Sequence, residues 1–282
     1  MGFNRPTPLE IKVCDRALDP LRALMDPVFH HMDRVPTGEA PLLFVGNHTL
    51  MGLLDVPFLF FELLHQHDLF LRSMGDRVHF RIPAWGEFFT RWGVVEGDRA
   101  TCGELLAEGQ PVMVFPGGAR EVAKRKNEQY RLMWGTRLGF AKLAIQHQAT
   151  IVPFAMVGAD DAWDIVMDAD EIVESVLGPL IEASWTTLAD IPLGSMPPVV
   201  KGIGGTPMPK PVRLYFGIGQ PVSTAAYAGL HEDDAAAFAL REEVAVAIED
   251  ELAFLLHERK WDVDDASLRR RLTTSMLKLL KR

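Results

Sequence analysis

His48 and Asp55 are the first pair in this chain with the chemistry to move a proton. His48 follows the run Leu42-Leu43-Phe44-Val45-Gly46-Asn47, in which four apolar residues are bounded by Pro41 and Gly46. Such a run reads as a short, fully buried strand. Gly46-Asn47 breaks it, so His48 emerges at its carboxyl end, where ligands bind in an α/β sheet. An imidazole takes a proton from a hydroxyl near neutral pH when a partner fixes its tautomer. Asp55, seven positions on, is the candidate partner. On these residues alone, a strand-end histidine that merely hydrogen-bonds a loop is the plainer reading, and it stands beside the general base.

The elements that must position these groups follow from pattern. Val56 to His65 reads as a helix, because Pro57 lacks an N–H and suits only a first helical turn. Asp55 is then its N-cap, and residues 48–55 form a loop. Val112–Phe115 is a second buried strand, stopped by Pro116-Gly117-Gly118, with Ala119-Arg120-Glu121 just beyond its end. Thr150–Val157 is a third strand, Val212–Gly217 a further one, Leu69–Arg72 a weaker candidate, and Val94–Arg99 a short strand and turn. Helices are expected over residues 81–92, up to Gly109, over 139–146 and from Glu232 to Lys260. Apolar strands alternating with helices indicate an α/β fold with a mixed, mostly parallel sheet flanked by helices.

Helical spacing over residues 9–34, with breaks before Pro20 and near Pro27, suggests an N-terminal helical segment. The organisation expected is residues 1–40 helical, 41–225 the α/β core, and 226–282 C-terminal helices packed on it. Residues 160–174 hold seven acidic side chains. They lack the glycine of a calcium loop, so a solvated helix is the reading preferred there. Residues 192–211 are rich in Pro and Gly and read as a long loop. The tail from Leu268 to Arg282 is basic and amphipathic, which fits either a helix on anionic lipid or a solvated terminal helix.

Composition narrows the classes. The 282 residues carry a net charge of -9, which argues against a nucleic-acid binder, and their hydrophobic fraction of 48% is high for a freely soluble enzyme. No apolar run is long enough to span a bilayer, and the amino terminus lacks a signal-peptide core. Cys14 and Cys102, far apart, make neither a disulfide framework nor a zinc motif, so a reducing cytoplasmic setting is expected. His30-His31 and His65-x-His67 lack a nearby ligand set, so no metal is expected.

Taken in order, Val45-Gly46-Asn47-His48, Gly93 to Arg99, Phe115-Pro116-Gly117-Gly118-Ala119-Arg120-Glu121 and Ile151-Val152-Pro153 resemble the four blocks of the glycerolipid and lysophospholipid acyltransferase superfamily. The third block looks like the branch of monoacylglycerol and diacylglycerol acyltransferase-like proteins and plant phytyl ester synthases. The resemblance runs from about Leu42 to Gly219. It implies acyl transfer from acyl-CoA, as co-substrate and without a cofactor, to a lipid hydroxyl, with peripheral membrane contact. The family's catalytic histidine falls on His48 and its acidic partner on Asp55. Here six residues separate the two, where the family usually has four, and Glu121 is the substitute partner.

Phosphate-acceptor members carry Glu-Gly-Thr-Arg where this chain has Gly117-Gly118-Ala119-Arg120, which tips the expected acceptor toward a neutral alcohol. Arg99 and Arg120 keep a lysophospholipid or the CoA phosphates in play, arginine being a bidentate phosphate clamp, or they are surface ion pairs. Gly117 and Gly118 allow close backbone approach and offer N–H groups to an oxyanion. Phe58–Phe61 and Trp85, Phe88 and Phe89 line an acyl channel or simply pack the core. A thioesterase or lipase lacks its nucleophile elbow here, Ser195 sitting in the Pro-rich loop. A non-catalytic lipid-binding protein remains the third class.

Overall fold

Leu42–Gly46 forms strand β2, buried along its whole length, at the centre of a seven-stranded sheet. In the computed structural model, which describes residues 5–38, 41–176, 178–182 and 196–262, the strand order is β1–β9–β6–β2–β5–β3–β4. These are β1 (Val28–His30), β3 (Arg72–Gly75), β4 (Val94–Glu96), β5 (Val112–Val114), β6 (Thr150–Val157) and β9 (Tyr215–Ile218). Every pairing is parallel except β6 with β9. The sheet is therefore mixed and mostly parallel, flanked by helices.

Strands covered on both faces must be apolar throughout. Phe44, Met113, Phe154 and Phe216 face one core with Leu59 and Leu63 of α3 (Val56–His67). Leu43, Val45, Val112 and Ile151 face the other, with residues of α6 (Arg99–Ala107), α8 (Gly139–Gln146) and α10 (Asp234–Trp261). The remaining helices are α1 (Pro8–Ala17), α2 (Asp19–Met25), α4 (Arg77–Phe80), α5 (Pro83–Arg91), α7 (Ala119–Val122) and α9 (Ala169–Glu174). Asp55 is the N-cap of α3, its Oδ1 accepting the Val56 N–H at 2.8 Å.

Several segments differ from expectation, the strand Val199–Lys201 inside the loop expected over residues 192–211 among them. Helices α1 and α2 form, but Val28–His30 is a strand, paired with Tyr215–Gly217 and fixed by Phe29 stacking on Phe216 at 4.8 Å. Three residues are too few to show a period. Residues 160–174 are not one solvated helix: Asp164–Met167 is strand β7, antiparallel to β8 (Val199–Lys201), and only Ala169–Glu174 is helical. The acidic composition masked an alternation of exposed and half-buried positions along β7. The strand sought at Leu69–Arg72 begins at Arg72. Ser195 and the tail from Leu268 to Arg282 lie outside the described residues.

Among the described residues, no helix is long and apolar enough to cross a membrane.

Candidate active site

The turn after β2 is built by side chains from distant segments. A Cβ on Gly46 would overlap the Phe154 ring, so only glycine lets β6 approach there. Asn47 is fully buried; its Nδ2 donates to the Met156 carbonyl at 2.9 Å and its Oδ1 accepts the Met156 N–H at 2.8 Å. This amide continues the ladder one step past the strand. His48 then leaves the sheet, partly buried, its ring stacked on Phe115 at 4.0 Å and 16°.

The main chain of His48 is held on both sides. Its N–H donates to Glu121 Oε2 at 3.1 Å, and its carbonyl accepts from Lys124 Nζ at 2.6 Å. Glu121 and Lys124 are both buried, and Glu121 Oε1 also takes the Met133 N–H at 2.9 Å. Burial raises the Glu121 carboxyl above its usual range, with the Met133 N–H and Lys124 opposing. His48 Nδ1 is enclosed and has no hydrogen-bond partner among the described residues. Burial, then the nearby Lys124 charge and His79, lower the His48 pKa to about 3. The imidazole is neutral at pH 7 and able to accept a proton.

His48 opens on a cavity of ≈ 610 Å³ whose walls include Met51, Leu53, Phe89, Phe115, Phe140 and Leu143. Arg99, His79 and Gly118 also line it. A cavity of this size, apolar with few polar groups, suits a lipid chain. Arg99 sits exposed at the start of α6, and two further clefts, of ≈ 570 and ≈ 500 Å³, meet the first one there and at Gly139.

The other expected site residues divide. Asp55 lies close in sequence but its carboxylate is taken up by the Thr49 hydroxyl and the Val56 N–H, and burial raises its pKa. Glu121 reaches His48, through the main chain and not the ring. Arg120 is drawn away to Glu128, at 2.6 Å, by the opposite charge. Gly118, at φ +52°, lines the cavity, but its N–H closes a turn on the Phe115 carbonyl at 2.9 Å, so it is not a free oxyanion donor. Gly117 packs against the Glu121 carboxylate, where a Cβ would overlap it, and its carbonyl accepts from Arg137 at 2.6 Å. Phe58–Phe61 are core, whereas Phe89 lines the cavity.

Sequence reasoning missed three residues. His79, on α4, lines the same cavity and accepts from Trp85 Nε1 at 3.3 Å; burial lowers its pKa. Lys124 lies just past the end of α7, three positions after Glu121, and its ammonium turns back to the Glu121 carbonyl at 3.1 Å. Asp160, read as solvated, is buried beyond the carboxyl end of β6, accepting the Leu50 N–H at 2.6 Å and the Tyr130 N–H at 2.9 Å. Its place past a central strand was the available signal.

Residues 26–157, which hold this turn, the cavity's main walls and the Pro116–Glu121 loop, match the family model described as Acyltransferase. The match covers somewhat under half of the chain, and in that stretch the chain is similar to the acyltransferase family. The chain is 28% identical to phytyl ester synthase 2, chloroplastic, of Arabidopsis thaliana, over 92% of this chain and 40% of that one. It is 31% identical to the DGAT1/2-independent enzyme synthesizing storage lipids of Mus musculus, over 44% of this chain and 36% of that one. It thus spans about two fifths of the length of these relatives. The crystal structure of the 1-acyl-sn-glycerophosphate (LPA) acyltransferase from Thermotoga maritima aligns with a TM-score of 0.48 at 16% identity, covering 86% of this chain and 78% of that one. Strand β9 and helix α10 complete the sheet and its second core outside the matched residues.

Proposed function

We propose that this chain moves a fatty acyl group from acyl-CoA to the hydroxyl of a neutral lipid alcohol, with His48 as general base. Nε2 takes the hydroxyl proton as the oxygen attacks the thioester carbonyl. The tetrahedral adduct collapses with cleavage of the C–S bond, and the proton passes from His48 to the departing thiolate, giving an ester and free CoA. The observation that carries the reading is a neutral, partly buried imidazole at the end of the central strand, opening on an apolar cavity of ≈ 610 Å³.

The pairing of Arg120 with Glu128 removes a phosphate clamp from the cavity and supports a neutral acceptor. A lysophospholipid acceptor is the second reading, carried by Arg99, which lines the cavity and has no ion-pair partner among the described residues. Entry from a lipid surface is supported by Trp85 and Phe88, both exposed and in ring contact with the cavity-lining Phe89, and by Leu53, 54% exposed in the cavity wall.

The test is release of free CoA from a panel of acyl-CoAs with monoacylglycerol, diacylglycerol, a long-chain alcohol, lysophosphatidic acid or no acceptor, for wild type and His48→Ala. Acceptor-dependent release lost in His48→Ala is the expected result. Release without any acceptor makes the protein a thioesterase, and none from any pair, with the protein folded, turns the reading to a binding role or to a donor outside the panel, such as an acyl carrier protein.

A further inference from the structure

A histidine base is ordinarily held by a carboxylate on its second ring nitrogen, which fixes tautomer and orientation. His48 has no such contact among the described residues: Nδ1 is enclosed and unpartnered, and Asp55 is engaged by Thr49 and Val56. What grips His48 is a buried polar network on its main chain. Lys124 Nζ lies 2.6 Å from the His48 carbonyl, 3.1 Å from the Glu121 carbonyl and 3.8 Å from Asp160 Oδ2. Glu121 takes the His48 N–H, and Asp160 takes the Leu50 N–H two residues on.

We propose that His48 is oriented through its main chain by the buried Glu121–Lys124–Asp160 network, and that Asp55 takes no part in holding its ring. This rests on the reading of His48 as the base. The network spans the carboxyl ends of three neighbouring strands: β2 gives His48, the segment after β5 gives Glu121 and Lys124, and the turn after β6 gives Asp160. With φ, ψ and both peptide groups of His48 fixed, the ring needs only its flanks defined. Phe115 covers one face at 4.0 Å, and Gly52 lies against the Cε1–Nε2 edge. The buried ammonium also lowers the His48 pKa, whereas a carboxylate on the ring would raise it, so the two ways of holding the ring leave opposite marks on its titration. Among the described residues, the charged and titratable groups around His48 include Lys124 and Glu121 beyond β5, Asp160 beyond β6, His79 on α4 and Asp55 before α3, and Asp76, Asp98, Arg99 and Cys102 face the same cavity from the other wall.

The experiment follows the His48 Cε1–H resonance against pH by NMR, with kcat and KM for the acceptor that wild type prefers, in Asp55→Asn, Lys124→Met and Lys124→Arg. Lys124→Met is expected to raise the His48 pKa by about one unit or more and to lower kcat about tenfold or more at little-changed KM, with Lys124→Arg restoring most of both. Asp55→Asn is expected to leave the His48 titration where it is. A shift of that titration in Asp55→Asn, or none in a folded Lys124→Met, overturns the proposal. Should Lys124→Met not fold, the Asp55→Asn titration decides alone. A wild type without acyl transfer sinks the proposed function while the titrations still report what holds His48.

Discussion

Asn47→Ala tests whether the turn bearing His48 is built as described. The Asn47 amide makes two hydrogen bonds to the Met156 main chain, at 2.9 and 2.8 Å, and both residues are buried to within 1%. β2 and β6 pair in register up to Gly46 and Phe154, so the side chain imitates one more peptide group of the ladder. Alanine leaves the Met156 N–H and carbonyl without partners where water has no access. Each orphaned group costs about 1–3 kcal/mol, so the substitution costs about 2–6 kcal/mol, a large part of the roughly 5–15 kcal/mol that holds a typical domain together. Urea unfolding with an unchanged m-value reads this directly. Asn47→Asp is expected to do no better, since it keeps the acceptor but turns an oxygen toward the Met156 carbonyl. A loss under about 1 kcal/mol for Asn47→Ala would refute the reasoning, because the two bonds would then carry no net weight.

Other outcomes follow from the same geometry. Because the His48 pKa lies at about 3, below its ordinary 6.5, kcat/KM is expected to show no acid limb near pH 6.5; a limb there assignable to His48 by its NMR titration contradicts the site's electrostatics. The same depression means that the His48 contribution to stability is complete above pH 6.5 and declines as pH falls from there toward 3. The difference in unfolding free energy between wild type and His48→Gln should change in that window and be flat above it. Gly52→Ala puts a Cβ onto His48 Cε1 at a residue with φ +59°; about 1–2 kcal/mol of stability should be lost to backbone strain alone, with a fall in kcat, and an unaffected kcat would show that the ring edge is not confined there. Arg99→Ala is expected to raise KM for donor or acceptor more than Arg120→Ala, since only Arg99 lines the cavity; steady-state kinetics with both substrates varied distinguish the two.

Local signals carried much of the fold. The apolar runs of β2, β5 and β6 were readable because strands buried on both faces admit no polar residue, and α3 because Pro57 is tolerated only in a first turn with Asp55 capping it. The place of His48 at the carboxyl end of the central strand followed from the same run. Strand β1 was not readable: its three residues gain stability from Tyr215–Gly217, nearly two hundred positions away, and carry no period of their own. Asp160 was misjudged because acidic composition reports solvation only on average, and two main-chain N–H groups supplied locally by the fold overrule it.

The sequence by itself determined an α/β sheet with a histidine at its mouth, because strand length, alternation and capping are set by neighbours a few residues apart. Which groups surround that histidine was decided only by the tertiary structure. Asp55 stands close along the chain yet turns to the Thr49 hydroxyl and its own helix, whereas Glu121 and Lys124 arrive on a segment more than seventy residues later because β5 lies beside β2. Hydrogen bonds are satisfied by whatever the packed sheet brings within 3 Å, and spacing along the chain does not encode that distance.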